Sequence, residues 1–141
     1  MIPLSAAAIL ITLCVLHLYW AVGGKWPGTS SINLNEIVVG GAPRTQPPSS
    51  LACAIVAICL AVASWVTLAT RGFVSPLLSA ELNRWAAWGL VAVLTLRGLG
   101  GYLETHIRPS VIGTPYARLN LILYSPLCLM LAAMVSWSVL S

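Results

Sequence analysis

Apolar positions in this chain run in long unbroken blocks, not at intervals of two or of three to four. Four blocks stand out: about Leu4 to Val22, Ser50 to Thr70, Trp85 to Gly101 and Leu119 to Leu140. Each is close to the ~20 residues that cross a ~30 Å hydrocarbon core at a rise of 1.5 Å per residue. Inside lipid every peptide group has to be satisfied within its own segment, so blocks of this length are helices and not open strands. The pattern predicts an all-α fold: an integral membrane four-helix bundle, a single domain over residues 1–141, with both termini on one side. The leading "MIPLS" holds no Lys or Arg and the oily run behind it outlasts a usual signal-peptide core, so the first block is expected to stay as a span.

Composition fits this picture. Of 141 residues, 59% are hydrophobic and 7% charged, against about 25% charged in a soluble domain. So few charges could not cover a water-facing surface. The formal net charge of +4 comes from residues that stand mostly between the blocks. They fit membrane-interface positions. Nucleic acid is not an expected partner, because no basic face is present.

The connectors set the topology. The first, Gly23 to Ser49, and the third share one side and carry Lys25, Arg44, Arg108 and Arg118, with Arg97 just inside the third block; the second carries Arg71 and Arg84. The positive-inside rule then favours connectors one and three facing the cytoplasm. The first connector has two Gly/Pro/Ser-rich runs, "GGKWPGTSS" and "GGAPRTQPPSS", flanking an apolar "INLNEIVVG" that can lie on or dip into the membrane surface. Within Pro47-Pro48-Ser49-Ser50, Ser49 or Ser50 is the expected N-cap of the second span. "RGFVSPLLSAELNR" reads as an interfacial turn.

Polar side chains inside or beside the spans carry the information about chemistry, because burying them in lipid is costly without a partner or a wet cavity. His17 lies near the end of the first span, with Trp20 and Cys14 on the same stripe and Tyr19 beside them. Arg97 lies a similar distance inside the end of the third, ahead of "GLGGYLETH". Asn120 and Tyr124 are four apart at the start of the fourth, with Cys128 one turn further on that face, and Pro126 should kink this helix and free the carbonyl of Ile122. His17, Trp20, Arg97, Asn120 and Tyr124 are therefore expected at one depth, with Lys25, Trp26, Glu36, Glu104, His106 and Arg118 in loops just above. The second span contributes little beyond Ser50 and Ser64. Taken singly, the aromatics fit a headgroup belt and Arg97 fits snorkelling. As a set they predict a polar, aromatic cup, and the ligand-binding candidates are His17, Tyr19, Trp20, Trp26, Arg97, Glu104, Asn120 and Tyr124.

Several chemistries lack their residues. Cys14, Cys53, Cys59 and Cys128 form no Cys-x-x-Cys pair, so free buried thiols are expected. A zinc or di-iron site needs three or four converging ligands, and the candidates are only His17, His106, Glu36 and Glu104, three of them expected in loops, so no metal is expected; His17 alone would be a weak haem ligand. No cofactor is indicated.

The stretches "HLYWAVGGKWP", "LRGLGGY" and "YARLNLILYSPLCLML" together resemble a family of small bacterial four-helix membrane proteins classed as a domain of unknown function. That family has a His-x-Tyr-Trp motif with a Gly-Gly turn, an Arg-x-x-Gly motif and a Tyr-Ser-Pro-Leu-Cys motif. The resemblance covers nearly the whole chain in order and implies the four-helix fold. It also implies that His17, Tyr19, Trp20, Arg97, Gly100, Tyr124, Ser125, Pro126 and Cys128 belong to the family signature. It supplies no activity. Members often carry acidic residues where Gly101 and Asn120 stand here, so carboxylate chemistry is not expected at those two positions.

Three functions follow from the cup. It could hold a lipophilic or amphiphilic small molecule without catalysis. It could act on a lipid, isoprenoid or sterol, with His17 shuttling a proton, Arg97 binding an anion and Tyr124 orienting the substrate; sterol isomerases are a fold-level analogy only. Or the chain could be an accessory subunit packed on a larger membrane protein partner. In each case the bilayer is the solvent.

Overall fold

A computed structural model of the chain describes residues 1–40 and 48–141. Arg44, Pro47 and most of the second Gly/Pro-rich run lie outside the described residues. The described residues are helical, and four spans are long and apolar enough to cross a membrane: Ile2–Ala21, Ser50–Ala69, Ala80–Glu104 and Pro115–Leu140. The first is helix α1, Ile2–Ala21, and the connector after it contains a short helix α2, Ser31–Val38. The second span is α3, Ser50–Ala69; the third lies within α4, Ala80–Ile107. A single 3₁₀ turn, Pro109–Val111, leads to the fourth span, which consists of α5, Pro115–Leu119, a wide turn, Asn120–Tyr124, and α6, Ser125–Leu140.

Local sequence explains the ends. Gly23, at φ +93°, allows the left-handed turn that stops α1. Ser30 caps α2 by accepting from Asn33 N–H at 3.1 Å, and Gly40, at φ +70°, closes that helix with a bond to the Asn35 carbonyl. Ser49 caps α3 and Ser79 caps α4, each through its hydroxyl. Capping by Ser79 starts α4 at Ala80, ahead of the expected Trp85.

The other end of α4 corrects the sequence reading more sharply. The helix runs straight through Gly100 and Gly101 to Ile107, because nothing in a Gly-Gly pair forces an exit when both residues keep helical φ. Arg108-Pro109 does force one: the ring disfavours helical conformation before it and removes a donor. Glu104 and His106 are therefore helical, not in a loop. At 28 residues, α4 is about 42 Å long and outreaches a ~30 Å core. Arg118 and Glu36 also lie on helices, α5 and α2.

α1 packs chiefly on α3, and α4 chiefly on α6; α1 also meets α6, and α3 meets α4. Two helical hairpins thus lie side by side as an up-down-up-down bundle. Met1, Ile2 and Pro3 gather with Arg71, Phe73, Trp137 and Ser141, so both ends of the described chain and the second connector share one side. Ala6, Leu10, Ala63, Leu94, Leu131 and Ala132 form the main core. Small side chains bring the helices close, since lipid offers no hydrophobic drive between them. Interhelical bonds add to this: Ser64 Oγ donates to the Ala7 carbonyl at 3.3 Å, and Asn83 Nδ2 donates to the Val66 carbonyl at 3.3 Å.

Because Ala6 is fully buried, Ala6→Leu should overpack this face and cost about 1–3 kcal/mol. Val15→Leu, at an exposed position, should leave stability unchanged. Thermal unfolding in detergent compares them, and equal melting temperatures would show that α1 does not pack through Ala6.

Candidate functional site

The expected single cup divides into two sites with α2 between them. The first is a cavity of about 440 Å³ among the end of α1, α2 and α3. His17 and Trp20 line it from α1, Lys25 from the connector, Leu34 and Asn35 from α2, and Cys53 from α3. His17 and Trp20 meet edge to face, with ring centroids 4.9 Å apart. His17 Nδ1 lies 2.8 Å from the Leu13 carbonyl. A carbonyl can only accept, so Nδ1 carries a proton toward Leu13, and Nε2 makes no bond within the helix. The second span was expected to contribute little; in fact Cys53, Ala52 and Val56 of α3 form one wall.

Tyr19 and Trp26 have a different task. Tyr19 Oη accepts from the backbone N–H groups of Lys25 and Trp26 at 3.3 and 3.4 Å, and Trp20 Nε1 donates to the Trp26 carbonyl at 2.7 Å. A side chain on Gly24 would collide with the Tyr19 ring. The Tyr-Trp pair therefore clamps the Gly-Gly turn, and Trp26 itself is 64% exposed. Neither Tyr19 nor Trp26 lines the cavity.

The second site lies between α4 and the fourth span. Asn120 sits there with 0% exposure. Its Nδ2 donates to the Gly101 carbonyl at 2.8 Å and to Glu104 Oε2 at 3.3 Å. Its Oδ1 accepts from Arg97 Nη2 at 3.1 Å and from Ser125 Oγ at 3.3 Å. All four hydrogen-bonding positions of the amide are thus in use. Glu104 also accepts from Tyr116 Oη at 2.6 Å and pairs with Arg108 one turn along α4. Arg97, Glu104 and Asn120 do come together as expected.

Tyr124 does not join them. The wide turn changes the register: Ser125 N–H donates to the Asn120 carbonyl, five residues back. In an α-helix Asn120, Tyr124 and Cys128 would share a stripe; here residue i+5, Ser125, stacks on Asn120. Tyr124 turns toward α2, where its hydroxyl lies 3.5 Å from the Ile37 carbonyl and its ring 6.2 Å from that of Tyr116. The distortion expected at Pro126 is this wide turn immediately before it. Pro126 offers no N–H to Ile122, and widening is a known way to absorb such a break.

Tyr116 was missed from the sequence, Ser125 entered only through the family signature, and Arg108 only as a connector cation. Glu104 and Arg108 stand at i, i+4 spacing, a legible signal once α4 is carried past Gly101. The Ser125 contact with Asn120 depends on the wide turn, which no spacing announces. Glycine 101 is explained too: a Cβ there would strike Ser125 Oγ and lie 2.7 Å from Arg97 Nη1 and 2.9 Å from Asn120 Oδ1. The same crowding leaves no room for a carboxylate at position 101 in this chain.

Gly101→Ala should therefore destabilise the fold by about 1–3 kcal/mol. Gly100→Ala should be neutral or stabilising by up to about 1 kcal/mol, since its Cβ meets nothing within 4 Å. Melting curves of the two variants in detergent test the contrast, and a harmless Gly101→Ala would refute the packing of Asn120 against α4.

Comparison with known proteins adds a family and no activity. No curated protein and no solved structure matches the chain. A family profile does match, over residues 10–135, and its description is "Protein of unknown function (DUF3995)". With four membrane-length helices and nearly its whole length matched, the chain belongs to this uncharacterised family.

Proposed function

We propose that this membrane protein binds a lipophilic or amphiphilic small molecule in the His17 cavity. The observation that carries the reading is the cavity itself: about 440 Å³, within the roughly 300–1,000 Å³ of small-molecule sites, with apolar walls and few polar groups. An apolar body would lie against Trp20, Leu34 and Val56, and a hydroxyl or amide donor would meet His17 Nε2. Lys25 stands where an anionic or carbonyl end group would reach the interface.

A catalytic reading needs Arg97 or Tyr124 beside the imidazole, and neither lines the cavity. Binding is therefore the reading the geometry supports. We further propose that the protein resides in a bacterial cytoplasmic membrane with connectors one and three inside. The support is the greater number of cations on that side, Lys25, Arg44, Arg108 and Arg118 against Arg71 and Arg84.

Binding of an environment-sensitive lipophilic dye to the protein in lipid nanodiscs tests the cavity. His17→Ala should weaken binding about tenfold, the worth of one hydrogen bond. Ala52→Trp, at an exposed position on the cavity wall, should abolish it by filling the space. Cys53, as the sole remaining cysteine, should react more slowly with maleimide when the dye is present. Wild-type dye binding in Ala52→Trp would refute the cavity as the site.

A further inference from the structure

The Asn120 network leaves one member incomplete. The Arg97 guanidinium has five N–H donors and no acceptor. One bond is accounted for, from Nη2 to Asn120 Oδ1. Among the described residues Arg97 has no carboxylate within 4 Å, because Glu104 pairs with Arg108. Yet Arg97 stands within the third span and is exposed on the surface of the bundle. In lipid, guanidinium donors without acceptors are expensive, and such residues recruit polar partners.

A groove of about 430 Å³ opens beside it, lined by Leu96, Arg97, Gly100, Glu104, Arg108 and Tyr116 among others. Two cations face one carboxylate, so the groove favours an anion. Its floor is bare at Gly100, where a Cβ would meet nothing within 4 Å and no positive φ calls for glycine. The chain's own packing gives no reason for a missing side chain there, whereas an outside molecule approaching the helix backbone does. Around the groove Leu96, Leu103 and Ile107 are exposed and apolar, and Val93 continues that surface down α4.

We propose that this groove holds the phosphate of a membrane phospholipid. Arg97 takes two phosphodiester oxygens with its free N–H groups, Arg108 adds charge at the rim, and an acyl chain lies along Leu96 and Val93. The fork of a guanidinium suits phosphate oxygens. The apolar rim favours a phosphate that arrives with its own hydrocarbon over one that arrives from water. No residue lines both this groove and the His17 cavity, so the two proposals stand or fall separately.

Native mass spectrometry of the full chain, purified in mild detergent and titrated with phosphatidylglycerol, provides the test. Wild type should retain one phospholipid through delipidation. Arg97→Gln should lower its affinity about tenfold or more, and Arg84→Gln, near the opposite end of α4, should not. Gly100→Leu replaces glycine by a good helix former in open space, so the fold is kept, and it should also lose the lipid by blocking the groove. If Arg97→Gln fails to fold, Gly100→Leu decides. Millimolar inorganic phosphate should not displace the lipid. Wild-type lipid retention in Gly100→Leu, displacement by inorganic phosphate, or a dimer that Gly100→Leu dissolves would each overturn the proposal, the last two by naming a soluble anion or a second copy of the chain as the occupant.

Discussion

The carboxamide of Asn120 is out of reach of water and of lipid, and its environment decides much of what surrounds it. An amide buried within a span has to find its partners inside the protein, because the alternative is an unmade bond in a medium of low dielectric. Asn120 finds four, on α4 and on its own helix. Each one constrains the backbone. The Gly101 carbonyl is reached only because residue 101 has no side chain. Ser125 reaches Oδ1 only because the turn between them is wide. Arg97 is held at the bundle surface by the same oxygen. Removing any one of these conditions would leave a buried polar group without a partner, and the glycine, the proline and the asparagine act as one unit for that reason.

Glu104 extends this unit to the interface. Its carboxylate meets Asn120, Tyr116 and Arg108, and Arg108 Nη2 donates in turn to the Gly40 carbonyl at the end of α2, at 3.0 Å. Tyr116 lies under Gly40 so closely that a Cβ there would strike its ring, and Tyr124 reaches the carbonyl of Ile37. The short helix α2 is thereby fastened to the α4–α6 hairpin on one side, while its Leu34, Asn35 and Val38 face the His17 cavity on the other. The cavity wall is held in place by a network that shares no residue with the cavity lining. An eight-residue helix is marginal alone, so the position of α2 depends on these contacts.

The spans were legible because one constraint dominates them. Hydrocarbon demands satisfied peptide groups over a fixed thickness, and apolar blocks of the right length admit one solution. α1 and α3 fall within a residue or two of the expected bounds, and the Ser49 cap was readable from a local rule. Failures began where a local signal had two meanings. Gly-Gly ends α1 because Gly23 turns left-handed, yet Gly100 and Gly101 stay helical, one in open space and the other to admit Asn120. His17 and Trp20 were rightly placed together, being on one stripe of one helix, while Tyr19 and Trp26 proved to close the turn.

Sequence by itself determined the four helices, their alternating direction and the gathering of most ionisable groups at one end, since each follows from length, hydropathy and local capping. Tertiary structure decided which of those groups meet. His17 and Arg97 lie near the same end of the bundle but serve different sites, because α2 stands between them and because the wide turn before Pro126 shifts the register from Tyr124 to Ser125. A one-residue change of register in a helix rotates every later side chain by about 100°, and spacing along a chain cannot report a rotation that is set by a partner helix.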